Sequence, residues 1–159
     1  MRGFPYSMPI HVRFRDVDGM GHVNNAVYFT FIEAARTEYM YRINDTQTLQ
    51  QVDWIVATAS LNFRRAATYG DPLEVGVRPT RVGQTSFTLY YEVWNRAKNE
   101  LVADGETVIV MFDYQARKPK AVHATLRARL EKEVGLGSPA PAVKSSAGAK
   151  GRRRRSKTI

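Results

Sequence analysis

Eighteen residues from Ala26 to Ile43, AVYFTFIEAARTEYMYRI, contain no proline or glycine and carry apolar side chains around most of a helical circumference. That pattern predicts a helix buried at the centre of a fold rather than one laid on its surface. It follows directly on a loop, DVDGMGHVNN, which is punctuated by Gly19 and Gly21 and holds Asp16, Asp18 and His22. Asn24 or Asn25 is suited to start the helix, because an Asn side-chain oxygen accepts a backbone N–H of the first turn. A helix of about 18 residues spans roughly 27 Å. Asn44-Asp45, a pair that favours turns, should end it. The helix start offers free N–H groups and positive potential, and the loop before it offers a carboxylate. That pairing makes a physically sensible place for carbonyl chemistry.

The rest of the chain must cover this helix. Residues 9–15, PIHVRFR, alternate Ile10, Val12 and Phe14 with His11, Arg13 and Arg15, predicting a half-buried first strand. The polar stretch 45–51 reads as a loop. From Val52 the apolar spacing shortens, and VDWIVATASLNFRR reads as a long strand or bent pair ending at Arg64-Arg65. Gly70-Asp71-Pro72 marks a turn. Leu73, Val75 and Val77 then alternate with Glu74, Gly76 and Arg78 in a strand reaching about Val82. Gly83-Gln84 suits a hairpin. Phe87, Leu89, Tyr91 and Val93 share one face of the next strand, and LVADGETVIVMFDY supplies the last. Val122, Leu126, Leu130 and Val134 at i, i+4 spacing predict a short C-terminal helix. Consecutive strands with short turns argue for an antiparallel sheet. The expected class is α+β, a curved five-stranded antiparallel sheet wrapped around one long helix. One helix leaves sheet surface uncovered, so self-association through sheet edges or faces is expected.

Cysteine is absent, which rules out disulfides, thiolate metal sites and a Cys nucleophile and makes the reducing cytoplasm the expected location. No stretch approaches the ~20 apolar residues of a membrane span, and the N-terminal MRGFPYSMPIHVRF lacks the apolar run of a signal peptide. The net charge of +9 suggests a polyanion partner only until it is located: Lys144, Lys150, Arg152, Arg153, Arg154, Arg155 and Lys157 account for all but two of those charges. The domain is therefore expected over residues 1–134. Residues 135–159, rich in small, proline and basic residues, read as a disordered tail whose RRRRSK cluster is suited to contact polyanions.

The motif D-V-D-G-M-G-H-V-N-N-A-V-Y, followed by F-I-E-A-A-R-T-E-Y, resembles the 4-hydroxybenzoyl-CoA thioesterase branch of the hot-dog-fold superfamily, over roughly residues 9–134. The resemblance implies a long helix wrapped by an antiparallel sheet, and homodimers or homotetramers with active sites at the subunit interface. It implies hydrolysis of acyl-coenzyme A thioesters without metal or organic cofactor. The second acid of the D-x-D pair maps to Asp18, as nucleophile or as the base that activates water. The oxyanion donor maps to the backbone N–H near Asn25, and Tyr28 matches an aromatic position that shapes the acyl pocket. His22, Asn24 and Asn25 stand where the hydroxybenzoyl enzyme is more apolar. That H-V-N-N form is closer to general acyl-CoA thioesterases and, more distantly, to plant acyl-carrier-protein thioesterases. It opens roles for His22 and Asn24 in holding water or the thioester carbonyl.

Other residues carry weaker expectations. Asp16 is read as shaping the loop through backbone N–H groups. Glu33 is read as structural, with Arg36 and Thr37 within helical reach, and Glu38 with Arg42 as a solvated pair. Arg64, Arg65, Arg78 and Arg81 stand near strand ends, where a guanidinium could grip the phosphates of coenzyme A; Arg64 and Arg65 are the substrate-binding candidates. His11, His22 and His123 form no metal motif. Two other classes compete: a non-catalytic acyl-CoA-binding hot-dog module, and a nucleic-acid binder resting on the tail alone. The Q-D-x-N-P-x-H arrangement of hot-dog dehydratases is absent.

Overall fold

The computed structural model describes residues 3–45, 48, 52–134 and 136. Apart from Leu136, the expected tail 135–159 lies outside the described residues, as does most of the 45–51 stretch. In chain order the elements are β1 (Tyr6–His11), a 3-10 turn (Phe14–Asp16), α1 (Asn25–Asn44), β2 (Trp54–Phe63), β3 (Pro72–Val82), β4 (Ser86–Asn95), β5 (Glu100–Asp113), β6 (Lys118–Pro119) and α2 (Ala124–Val134). The strands form one antiparallel sheet ordered β1-β3-β4-β5-β2, with β6 attached to β5. The sixth, two-residue strand was not expected; Lys118-Pro119 carries no alternating pattern.

The first strand is shifted from its expected position. It ends at His11, and Phe14, expected beside Ile10 and Val12 in the core, is 82% exposed. The cause is Asp16, whose Oδ2 accepts the Arg13 amide at 2.8 Å and Arg13 Nε at 3.2 Å, pulling residues 13–16 into a tight turn. Asp16 is itself buried. It shapes the loop as expected.

Helix α1 starts where the two asparagines stand, with Asn24 as the cap. Tyr28, Ile32, Ala35, Tyr39 and Met40 enter a single core with Val75 and Val77 of β3 and Leu89 and Tyr91 of β4. The helix packs on β1 and β3. One flank, carrying Phe29, Thr30 and Glu33, is exposed. Arg36 is buried on this helix, with Glu33 at 3.5 Å, the Trp54 ring centroid at 5.9 Å, and its Nε without a partner among the described residues.

At the other side of the sheet β2 is an edge strand, exposed along most of its length. It runs close against β5. A Cβ at Gly105 would stand 2.0 Å from the Ser60 carbonyl oxygen, so only glycine allows this approach. Helix α2 buries Leu126 and Leu130 against β3. Its Glu133 accepts the Tyr39 hydroxyl and Arg42 Nη2, each at 2.8 Å. Arg42 thus ties α1 to α2 instead of pairing with Glu38 on its own helix.

Candidate active site

The loop from Val17 to Val23 closes on itself through an antiparallel bridge between those two residues. Inside it the Asp18 N–H donates to the His22 carbonyl at 2.8 Å, and the Gly21 N–H donates to the Asp18 carbonyl at 2.9 Å. Gly21 sits at φ +77°, a conformation that costs a residue with a Cβ. The Asp18 carboxylate is held at one end only. Its Oδ1 accepts the Met20 N–H at 2.9 Å and the His22 N–H at 3.3 Å. No described residue donates to Oδ2.

The start of α1 leaves one backbone donor open. Asn24 Oδ1 accepts the Ala26 N–H at 2.9 Å, and the Asn24 carbonyl accepts the Val27 N–H at 2.9 Å. The amide just before them, Asn25 N–H, has no acceptor among the described residues, as the first position of a helix commonly does not. The capping role also settles the Asn24 side chain, whose oxygen is committed to the helix.

The connection from β2 to β3 supplies the facing wall. The Val23 N–H donates to the Ala67 carbonyl at 2.8 Å, and His22 bridges to Thr68. Asp71 steadies this connection by accepting the Thr68 N–H at 2.9 Å and pairing with Lys98 at 3.0 Å. Asp18, His22, Asn24, Asn25, Tyr28, Arg64 and Arg65, the seven residues singled out in the sequence, all line one cavity of about 420 Å³ between these walls. Met20, Val23, Phe63 and Ala66 complete it.

The residues differ in how free they are. Tyr28 is buried and meets the Phe63 ring edge-on at 5.4 Å between centroids, closing the inner end. Burial pushes its phenol above the ordinary value, against a backbone hydrogen bond from Ala67 that pulls it down. The His22 imidazole and the Arg65 guanidinium are exposed and have no partner among the described residues. Arg64 is engaged: its Nε and Nη2 both reach the carboxylate of Asp104 on β5. That carboxylate holds the guanidinium above its ordinary value, through its hydrogen bond first. Arg78 is excluded from the site. It is buried under the rings of Phe4 and Tyr90, at 5.6 and 5.0 Å, because it sits in mid-strand. Arg81 does not line the cavity.

Met20, Phe63 and Asp104 were missed in the sequence. An aspartate inside the apolar strand LVADGETVIVMFD is a signal, since Asp is depleted from strands. Among the described residues no group of three or more His, Asp or Glu is placed to hold a metal.

This loop, helix and sheet are matched by known proteins. Residues 12–130 match the family model of the Thioesterase-like superfamily, and the chain belongs to that family. The long-chain acyl-CoA thioesterase FadM of Escherichia coli is 29% identical over 127 residues, covering 79% of this chain and 96% of that protein. The acyl-CoA thioesterase YbgC of Haemophilus influenzae is 33% identical over 128 residues, covering 77% of this chain and 92% of its own. Among solved structures, a Thermus thermophilus thioesterase complexed with coenzyme A and Zn superposes with a TM-score of 0.76 at 33% identity. It covers 85% of this chain and 98% of that one. The fold class, α+β with a hot-dog arrangement, agrees with that neighbour.

Proposed function

We propose that the protein is an acyl-CoA thioesterase, releasing free acid and coenzyme A. One observation carries the reading: Asp18, with a free carboxylate oxygen, and Asn25, with an unclaimed helix-start N–H, line the same cavity. The thioester carbonyl docks with its oxygen at the Asn25 N–H, where charge developing in the tetrahedral intermediate meets a fixed donor. Asp18 Oδ2 then acts by one of two routes. It attacks the carbonyl carbon, giving an anhydride that water hydrolyses, or it takes the proton of an attacking water. Both expel the thiolate of coenzyme A. His22, exposed beside Asp18, is placed to hold the water. Tyr28 and Phe63 receive the start of the acyl chain, and Arg65 stands free at the mouth for the coenzyme's phosphates.

The working unit is proposed to be a homodimer or a pair of dimers. Strand β2, WIVATASLNF, is an uncharged ten-residue edge, and such an edge is a template for another strand. Phe63, 45% exposed at its end, belongs to the cavity, so a second copy on β2 would complete the acyl wall. No helix of the described residues is long and apolar enough to cross a membrane, and a chain without cysteine fits the cytoplasm. The tail cluster RRRRSK is a candidate polyanion contact.

Thiol release from short, long and aromatic acyl-CoAs tests the reading. The wild type turns over at least one of them, and Asp18→Asn loses on the order of 100-fold or more in kcat with its fold intact. A wild type that binds acyl-CoA without hydrolysing any of them would instead be an acyl-binding module.

A further inference from the structure

The outer face of the sheet, away from α1, carries a polar group at the rim of the cavity. Asp104 on β5 has a side chain only 3% exposed, and its two oxygens receive Nε and Nη2 of Arg64. Asn62, its register partner on β2, donates to Asp104 Oδ2 at 3.3 Å. Its register partner on β4 is another acid, Glu92, which accepts Trp94 Nε1 at 2.7 Å and the Tyr90 hydroxyl at 3.4 Å. Two carboxylates side by side make the guanidinium the natural counter-charge for Asp104.

The pairing also fixes what Arg64 presents. Its Nε–Nη2 edge is consumed, so the Nη1–Nη2 edge is the one left to donate outward, on a side chain that is 49% exposed and lines the cavity. The backbone is held at the same point. The Arg64 and Arg65 N–H groups both donate to the Val102 carbonyl, at 2.8 and 3.1 Å. Two adjacent arginines are thereby anchored at the mouth, one with a fixed fork and one free. A flexible side chain loses conformational entropy when it grips a phosphate, and a carboxylate that has already ordered it removes that cost.

We propose that Asp104 is a positioning residue for coenzyme A, holding Arg64 so that its free edge, with Arg65, meets the phosphates of the substrate's nucleotide end. The proposal rests on the acyl-CoA reading of the cavity and adds which part of the substrate this rim recognises. It distinguishes the nucleotide-bearing thioester from one that ends at pantetheine.

Calorimetric binding of free coenzyme A and of pantetheine, with steady-state hydrolysis of an acyl-CoA, provides the test. Asp104→Asn keeps the shape but loses the charge that orders Arg64. The double variant Asp104→Leu/Arg64→Met removes the pair as a unit, which a folded protein tolerates better than a lone buried charge. Both are expected to bind coenzyme A about tenfold more weakly, the loss typical of one charge-assisted contact, and to keep their affinity for pantetheine. For acyl-CoA the change appears in KM rather than kcat. Unchanged coenzyme A affinity in either folded variant overturns the proposal, as does a parallel loss for pantetheine, which would make the pair a support of the wall. If the wild type binds coenzyme A as described but hydrolyses no thioester, the catalytic reading fails while this one stands.

Discussion

Asn25 contributes a backbone N–H to the proposed site, and at that position the contribution can be removed alone. It is the first residue of α1, where proline is well tolerated because the missing N–H has no intrahelical acceptor. Asn24, at φ −61° and ψ 137°, already has the extended conformation that a residue before proline prefers. Asn25→Pro is therefore expected to melt close to the wild type yet lose roughly 100- to 1,000-fold in kcat, as for the loss of one oxyanion donor. Asn25→Ala, which keeps the N–H, should stay far more active. Equal losses in both variants would place the function in the side chain instead. Asp71, across the cavity, gives a pH prediction. Burial raises its carboxyl, but the Thr68 N–H, Lys98, Asn95 and the Thr68 hydroxyl outweigh it and hold it below the ordinary 3.8. A carboxyl depressed in the folded state contributes stability above its unfolded pKa and loses it as the pH falls through the folded value. Thermal melts between about pH 5 and pH 3 should fall more steeply for the wild type than for Asp71→Asn. Parallel curves would assign the acid sensitivity to other groups.

At the scale of elements, α1 is held at both ends by polar contacts of different kinds. Its start is capped locally by Asn24, and its last turns are tied to α2 through Glu133. Glu133→Ala would strand the Tyr39 hydroxyl, on a side chain with no solvent exposure, and free Arg42. A loss of about 1–3 kcal/mol in urea unfolding is expected, the usual cost of an unsatisfied buried polar group. A loss near zero would mean that water replaces the carboxylate. These two ends also mark what a sequence can disclose. The cap was legible because it is local: Asn, then an apolar run, has one physical meaning. The four long strands were legible for the same reason, through alternation in two of them, apolar runs in the others, and turn residues, although β2 was also open to being a bent pair. The Tyr39–Glu133 contact joins residues 94 positions apart, and no periodicity encodes it. Phe14 misled because alternation was read through it, while the nearby Asp16 side chain bent the backbone first. The cavity's loop-and-helix half was legible as a motif. Its far wall was legible only as two arginines, and the aspartate that pins one of them required the strand register.

For the whole molecule, the unresolved demand is the open side of the sheet. Helix α1 covers β1 and β3, while β2 presents an uncharged edge. Phe29 at 39% exposure and Val56 at 38% lie on the flank of α1 and on β2. Pairing of two β2 strands would satisfy the edge, which a polar coating of β2 could not do for the backbone. The β2–β5 register offers a way to block such pairing without disturbing the protomer. It passes from Val56↔Ile109 to Thr58↔Val108, leaving Ala57 without a partner on β5. Proline is accommodated at bulges and on edge strands, where its ring and missing N–H obstruct an added strand. Ala57→Pro is thus expected to shift sedimentation from the proposed dimer, or pair of dimers, to smaller species, with a melting curve that no longer depends on protein concentration. On the proposed assembly turnover should fall with dissociation, because Phe63, at the end of β2, lines the cavity and a second copy on that strand would add to its wall. A variant that remains dimeric and active would move the interface to another face. A variant that becomes monomeric with full activity would make each protomer's cavity sufficient, leaving the exposed strand a matter of assembly alone.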